Sequence, residues 1–464
     1  MSAPAADRLT AAAARALGKV TGRALGPYQS AVIRIGFSAT WLLFLLREFP
    51  NRRELYGPGG PWSFDLAERL VAGNDAFTVL LWSDGVVWFE AVYALAVAAS
   101  VMLLLGWHTR AASALFLVGV LSLQNRSVFM GDGGDNVIHL MAMYLVLTRC
   151  AQVWSLDARR GRAGAGGGAA GSAGSAGSAG SAGSAGSAGS AGGAGAVLWV
   201  LLGAVLMAAG GTGKLGVGWL GVFAVLWTAQ GVWWLAERYD PRGEGRALLD
   251  VVANVIHNAG MLVVMAEVCL IYATAGWYKI QGSRWQDGTA LYYPLNLDYF
   301  APWPALSELL GASGVVVLLL SYGTVAVQVA FPFTLFNRRV KNVLLGVMML
   351  EHAGIAVVLG LPFFSLAMIA ADAVFLPTAF LVWVGALGGR LRWPGGRGAA
   401  VPGPVPGSGP GPVPGSVPGA GGGGAGPVPG AAGASPGAGS VTAAASVPGQ
   451  VAGGEPAAAP DAVR

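Results

Sequence analysis

Apolar residues follow one another along most of this chain in long stretches and do not alternate with polar residues. Each stretch has about 18 residues or more, enough for a helix to cross about 30 Å of hydrocarbon. Ten of them cover residues 28–46, 85–105, 111–129, 136–153, 196–213, 217–236, 258–278, 305–335, 342–360 and 363–387. The stretch at 305–335 is long enough to be bent or divided in two. Because a bilayer interior offers no partners for backbone groups, we predict an all-α fold, a polytopic transmembrane helical bundle of about 10 spans.

Composition agrees with a membrane protein. Of the 464 residues, 54% are hydrophobic and 11% are charged, whereas soluble domains carry about 25% charged residues. The net charge of +5 would also suit a nucleic-acid binder, but Lys and Arg occur in short clusters between apolar stretches and form no basic stripe. The two cysteines, Cys150 and Cys269, lie at or within predicted spans, so the chain has neither a disulfide framework nor a CxxC metal motif. We expect the lipid bilayer as a partner, and neither nucleic acid nor a metal.

The basic residues are unequally divided between the two sets of connecting segments. With the N-terminus in the cytoplasm, the cytoplasmic segments hold most of the Lys and Arg residues. Arg47, Arg52 and Arg53 in the first outer loop oppose this arrangement. The balance favours an N-in, C-in, multi-pass protein of the cell membrane, with Lys279 on the outer side.

Composition also predicts how the chain is divided. We predict a cytoplasmic N-terminal segment at 1–27, a first transmembrane half of about four spans at 28–160, a flexible Gly/Ser/Ala linker at 161–195, a second half of about six spans at 196–393, and a disordered Pro/Gly-rich tail at 394–464. The linker contains seven GSA triplets, and neither it nor the tail has the apolar side chains needed for a core. No extramembrane globular domain is predicted.

Ionisable residues inside predicted spans are candidates for function, because burying them in a membrane costs free energy. They are Arg34, Glu90, His139, Glu267, Glu351, His352 and Asp372. His352 and Asp372 fall at similar depths, roughly 12–15 Å below one turn, in an antiparallel pair of spans. Their proximity fits a carboxylate that orients an imidazole for proton handling, and it equally fits a structural hydrogen bond between helices.

The Gly-rich segment from Met130 to Asn136 connects two predicted spans at the outer surface. Its two aspartates, Asp132 and Asp135, are suitable ligands for a cation. The same residue types also form ordinary turns and helix N-caps, and we favour that interpretation.

Lys279 follows a long apolar stretch and stands among aromatic residues, with Trp277 and Tyr278 before it and Trp285 after it. Lysine beside an aromatic belt commonly anchors a helix at the membrane interface. A base is the alternative, and it requires an apolar wall that keeps water away from the amine.

Four segments, in order, resemble one family. AGWYKIQGSRWQDGTALYY around Lys279 is similar to a segment of the vitamin K-dependent γ-carboxylases and of their bacterial relatives, the HTTM (horizontally transferred transmembrane) domain proteins. The others are the GDGGDN turn with the following Trp154-Ser155-Leu156-Asp157, the segment Gly106 to Arg110, and LEHAGIAVVLGLPFFSLAMIAADAVFLP, which contains His352. Together they cover roughly residues 25–377 without the linker and the hairpin near 196–236.

The resemblance implies a membrane core that meets a quinol. Lys279 would be the base that deprotonates it, with Trp277, Tyr278 and Trp285 as the pocket wall and His352 and Asp372 as a proton-handling pair. The cofactor is not identified by the sequence, and a quinone such as menaquinone is our hypothesis. A secreted peptide or protein is a possible substrate. The carboxylases continue into a large lumenal β-rich region that has no counterpart here, so protein carboxylation does not follow. The alternative is a non-enzymatic scaffold or permease-like protein with the same fold.

Overall fold

The computed structural model describes residues 3–169, 193–241 and 243–390, and these residues form helices and connecting turns without a strand. The helices are α1 Ala3–Gly22, α2 Pro27–Glu48, α3 Arg52–Tyr56, α4 Phe64–Asn74, α5 Val86–Leu105, α6 Thr109–Arg126, α7 Gly133–Leu147, α8 Leu156–Ala169, α9 Gly193–Gly211, α10 Val217–Tyr239, α11 Glu244–Gln281, α12 Ser283–Gln286, α13 Tyr292–Leu295, α14 Pro304–Gly311, α15 Gly314–Ala330, α16 Arg338–Val358, α17 Pro362–Asp372 and α18 Thr378–Arg390. The all-α prediction is confirmed for this part of the chain.

Within the described residues, six helices are long and apolar enough to cross a membrane, and a seventh span results if α17 and α18 are counted as one bent pair. The six comprise α5, α10, α11 and α16, together with the segments Pro27–Tyr56 and Gly314–Thr334, which contain α2 and α15. This number of helices indicates a membrane protein. The predicted number of about ten is not confirmed.

Several of the predicted spans have different boundaries in the structure, and the stretch at 136–153 ends early, at Leu147. The stretch at 305–335 divides into α14 and α15, one of the two forms expected for it. The stretch at 258–278 belongs to α11, which begins much earlier, at Glu244. The stretch at 363–387 is not one helix, because the chain bends by 117° between Pro362–Phe375 and Thr378–Leu387. Pro377 lies at this bend, and a proline disfavours helical backbone at the residue before it.

The core lies where α2, α5, α6, α7 and α17 pack together. Its largest fully buried side chains include Trp41, Tyr93 and Phe116. Helices α2 and α17 approach closely at Gly36, where an added Cβ would lie 2.5 Å from Cβ of Ala370. We call the end of the bundle at which α2 begins the near end and the end at which α2 stops the far end.

At the near end, α1 packs on the first half of α11. The side chains of Asn254 and Asn258 donate hydrogen bonds to carbonyls at the end of α1, and His257 Nε2 lies 2.8 Å from the carbonyl oxygen of Leu25. These contacts hold the connection between α1 and α2. Helix α8 follows the first transmembrane half and extends to Ala169, so residues 161–169 of the predicted linker are helical. Ser155 caps the start of this helix by accepting a hydrogen bond from the Ala158 backbone. The rest of the predicted linker up to 192 and the tail after residue 390 lie outside the described residues.

Two of the motifs on which the resemblance rests contact each other at the near end. Gly106 has a φ of +65°, where an added Cβ would collide with Ser155. The carboxylate of Asp157 accepts hydrogen bonds from the backbone of His108 and from both the backbone and the hydroxyl of Thr109, at 2.8–3.0 Å. Asp157 therefore caps the N-terminus of α6 from a distant part of the sequence.

Asp157→Ala is expected to lower the free energy of unfolding by about 1–2 kcal/mol, because the first turn of α6 loses its acceptors. SDS-induced unfolding of the purified protein in detergent measures the change. Asp7→Ala, at an exposed position in α1, is the matched control and should change stability by less than about 0.5 kcal/mol. Equal effects of the two substitutions would contradict the capping role.

Candidate functional site

The Tyr272 cluster, formed by Tyr272, His352 and Asp372, lies inside the bundle where α11, α16 and α17 meet. The Tyr272 hydroxyl donates to Asp372 Oδ1 at 2.9 Å, and its oxygen lies 3.0 Å from His352 Nε2. The three residues are 1%, 2% and 0% exposed. His352 and Asp372 were predicted to lie close together, and the structure connects them through Tyr272.

The protons of this cluster determine which of its atoms can bind something else. Tyr272 has a single hydroxyl proton, so donation to Asp372 leaves its oxygen to accept from a protonated Nε2 of His352. A neutral imidazole in that tautomer has an acceptor at Nδ1. His352 Nδ1 and Asp372 Oδ2 are both buried without a hydrogen-bond partner in the structure. With Asp372 ionised, the cluster thus presents two unused acceptors, and buried polar atoms rarely lack a partner.

A second polar chain, the Lys279 chain, connects α11, α15 and α16. Lys279 Nζ donates to Gln328 Oε1 at 2.8 Å, and Gln328 Nε2 donates to Glu351 Oε1 at 2.7 Å. Gln328 is 5% exposed. The amine is therefore held in place by a neutral amide and is not directly paired with the carboxylate.

The sequence of α11 brings the two groups to the same face. Tyr272 and Lys279 are separated by about two turns, or roughly 10 Å along the helix axis. Between them, Gly276 lets α15 approach, because an added Cβ would lie 2.6 Å from Cγ2 of Val329. That close approach brings Gln328 within reach of Lys279. The neighbours Glu351 and His352 on α16 then serve the Lys279 chain and the Tyr272 cluster respectively.

The three aromatic residues predicted as a pocket wall do not come together. Nζ of Lys279 lies 5.3 Å from the ring centroid of Trp285, a distance at which an amine interacts favourably with an indole. Trp277 and Tyr278 are 61% and 73% exposed, on the outside of the bundle. The reason is helical geometry, because residues one and two positions apart do not face the same side.

The GDGGDN turn positions the helix that carries Asp372. Asp132 Oδ1 accepts from the backbone of Gly134 and Asp135, and Asp135 Oδ2 accepts from the backbone of Asp132, which together form a capping box for α7. The predicted helix cap is confirmed. Gly134 packs so tightly on α17 that an added Cβ would lie 2.6 Å from Cα of Phe364, whose ring lies 5.6 Å from that of His352.

Asp135 lies outside the six candidate spans, and burial raises its pKa to about 6. Among all the residues that the structure describes, no group of three or more His, Cys, Asp or Glu side chains is suited to hold a metal ion.

The remaining ionisable candidates lie elsewhere and have structural partners. Arg34 donates hydrogen bonds to backbone carbonyls at the near end of the bundle. Glu90 accepts from Arg52 and Arg53. The other two pair with neighbouring side chains: His139 Nδ1 lies 2.9 Å from Gln124 Oε1, and Glu267 accepts from the Tyr144 hydroxyl at 3.2 Å.

A cavity of about 380 Å³ lies at the far end, beside the Lys279 chain and separate from it. Arg284, Tyr293 and Leu318 are among the residues that line it, and the Arg284 guanidinium lies 5.0 Å from the Tyr293 ring centroid. Hydrogen bonds from Thr289 hold the pKa of Asp287, another lining residue, below its usual range. Neither Lys279 nor Trp285 lines this cavity.

Tyr272 and Gln328 are the site residues that sequence reasoning missed. Tyr272 could have been found from its spacing, because it stands two turns before Lys279 on the same helical face. Gln328 gave a weaker signal, an uncharged polar residue in an apolar stretch. Comparisons of the chain with protein-family models, with curated proteins and with solved structures yield no match.

Proposed function

We propose that this chain is a multi-pass protein of the cell membrane, with about ten spans and with both termini in the cytoplasm. The six apolar helices support membrane insertion, and the concentration of Lys and Arg in one set of connecting segments supports the orientation. Fluorescent reporters fused to each terminus test the orientation, because a reporter that folds only in the cytoplasm should be bright at both ends.

Within that membrane core, we propose that the protein belongs to the HTTM type and binds a lipid-soluble quinol near the outer leaflet. One observation carries this proposal: the Lys279 amine is fixed by Gln328 beside the Trp285 ring, at the end of a long apolar helix. Lys279 would accept the proton of a bound hydroxyl group at Nζ. A secreted peptide or protein is the partner that an outward-facing base of this kind could serve.

The Tyr272 cluster fits the reduced form of such a molecule. A quinol carries two hydroxyl donors on an apolar ring, so that one would meet the Lys279 amine while the other donates to an acceptor of the cluster that has no partner, His352 Nδ1 or Asp372 Oδ2. Oxygen acceptors on an oxidised quinone would not satisfy them. These residues would orient a hydroxyl group and exclude water from it, whereas the bound molecule would supply the acidic proton.

Lys279→Ala is expected to lower the amount of quinone that co-purifies with the protein by about tenfold, since losing one charge-assisted contact costs about 1.4 kcal/mol or more. Mass spectrometry of lipid extracts from the purified protein measures it. Lys214→Ala is the control, because Lys214 is exposed between α9 and α10. Wild-type protein without quinone, or equal quinone in both variants, would refute the proposal.

A second candidate function is a scaffold or permease-like protein without chemistry. The outward-facing Trp277 and Tyr278 favour it, since they are placed as in an aromatic belt and Lys279 follows directly. In that case Lys279 anchors the end of α11 and the polar chain serves packing. The same measurement separates the two candidates, because only the first requires bound quinone.

A further inference from the structure

A second charged group lies at the near end, far along α11 from Lys279. Its centre is the indole of Trp233 on α10, which is 8% exposed. The guanidinium carbons of Arg110, Arg246 and Arg149 lie 4.0, 4.3 and 5.9 Å from the ring centroid. We call these four residues the Trp233 cluster.

The carboxylates around the Trp233 cluster do not balance its charge. Asp250 lies 3.0 Å from Arg149 and 3.4 Å from Arg246, and Glu237 lies 3.5 Å from Arg246 and accepts from the Trp233 indole. In the parts of the chain that the structure describes, three arginines therefore face two carboxylates. Among the described residues, Arg110 has no carboxylate within salt-bridge distance and is exposed, whereas Nη1 of Arg246 is paired with Asp250.

The surroundings of the cluster are apolar. Helix α10 is one of the candidate spans, and at the depth of Trp233 its outward-facing residues Val232 and Leu235 are 45% and 48% exposed. A free anion would gain nothing from these side chains. An amphiphile would contact them with its chains while its headgroup met the arginines.

We propose that the Trp233 cluster binds the phosphate of an anionic phospholipid, with Arg110 as the principal contact. A guanidinium group can donate two parallel N–H hydrogen bonds to two phosphate oxygens, and stacking on the indole fixes its orientation before the lipid binds. The inference rests on membrane insertion and is independent of the proposed quinol.

Native mass spectrometry of the full-length protein in detergent tests this, with phosphatidylglycerol and phosphatidylcholine of identical acyl chains as probes. We expect phosphatidylglycerol to bind wild type about tenfold more tightly, and Arg110→Gln to remove most of that preference. Arg160→Gln is the matched control, because Arg160 lies 5.8 Å from the Trp107 ring at the same end; it should change affinity less than twofold, about 0.4 kcal/mol.

Equal affinity for the two lipids, or equal loss in both variants, would overturn the assignment. Inorganic phosphate that binds alone as tightly, and with the same dependence on Arg110, would also overturn it, since the site would then take a free anion. A wild-type measurement covers the case in which Arg110→Gln does not fold: added salt should weaken only phosphatidylglycerol binding. Quinone content should stay unchanged in Arg110→Gln, which separates this proposal from the one for Lys279.

Discussion

Arg34→Leu is expected to lower the free energy of unfolding by about 3–5 kcal/mol, more than any other single substitution discussed for this protein. Arg34 lies in the first third of a candidate span, toward the near end, and is completely buried. Its guanidinium donates to the carbonyls of Leu103 and Leu104 at the end of α5 and to those of Cys150 and Trp154 after α7. Leucine would leave these buried acceptors without a donor.

Arg34→Lys is expected to recover only a small part of this loss. An ammonium group donates from one point, whereas the planar guanidinium reaches four carbonyls on two chain segments from fixed directions. SDS-induced unfolding in detergent measures both variants. Arg159→Met, at an exposed position in α8, is the control and should lie within about 0.5 kcal/mol of wild type. A loss for Arg34→Leu no larger than that of the control would show that the carbonyls find other donors.

Arg34 also shows where sequence reasoning stops. Burying an arginine in an apolar stretch costs free energy, and for that reason alone the sequence marks Arg34 as a candidate for function. In the structure, Arg34 instead joins the ends of α5 and α7. The sequence could not show this, because its acceptors are backbone carbonyls, which every residue possesses. The existence of the helices was predictable from long apolar stretches, whereas the bend between α17 and α18 and the early start of α11 depend on packing.

The candidate site was predictable in part for a similar reason. His352 and Asp372 were placed together correctly because depth in a membrane helix follows from counting residues. The rotation of side chains around each helix decides the rest. Trp277 and Tyr278 adjoin Lys279 in sequence but not in space, whereas Tyr272 is distant in sequence and shares its face.

Tyr272→Phe is expected to lower the free energy of unfolding by about 2–4 kcal/mol, although only one oxygen atom is lost. The hydroxyl is the partner of both His352 Nε2 and Asp372 Oδ1, so its removal leaves two buried polar groups unpaired. Tyr239→Phe is the control, because that ring is 75% exposed on α10 and should change stability by less than about 0.5 kcal/mol. A loss as small as that of the control would mean that the cluster does not hold α11, α16 and α17 together.

The double variant Tyr272→Phe/Asp372→Asn separates a structural cluster from a ligand-binding one. Directly bonded residues should show a coupling energy of about 1–3 kcal/mol, so the double loss should be smaller than the sum of the single losses. Simple additivity would contradict the hydrogen bond.

Coupling alone is also expected of a structural hydrogen bond between helices, so the quinone content decides between a structural and a ligand-binding cluster. If Asp372 Oδ2 accepts from a quinol hydroxyl, Asp372→Asn should reduce quinone per folded protein even where stability is retained, because an amide oriented to replace the carboxylate places only one acceptor in the site. If the cluster is only structural, neither Tyr272→Phe nor Asp372→Asn should change the amount of quinone per folded protein. Any fall in total quinone should then match the fraction of protein that has unfolded.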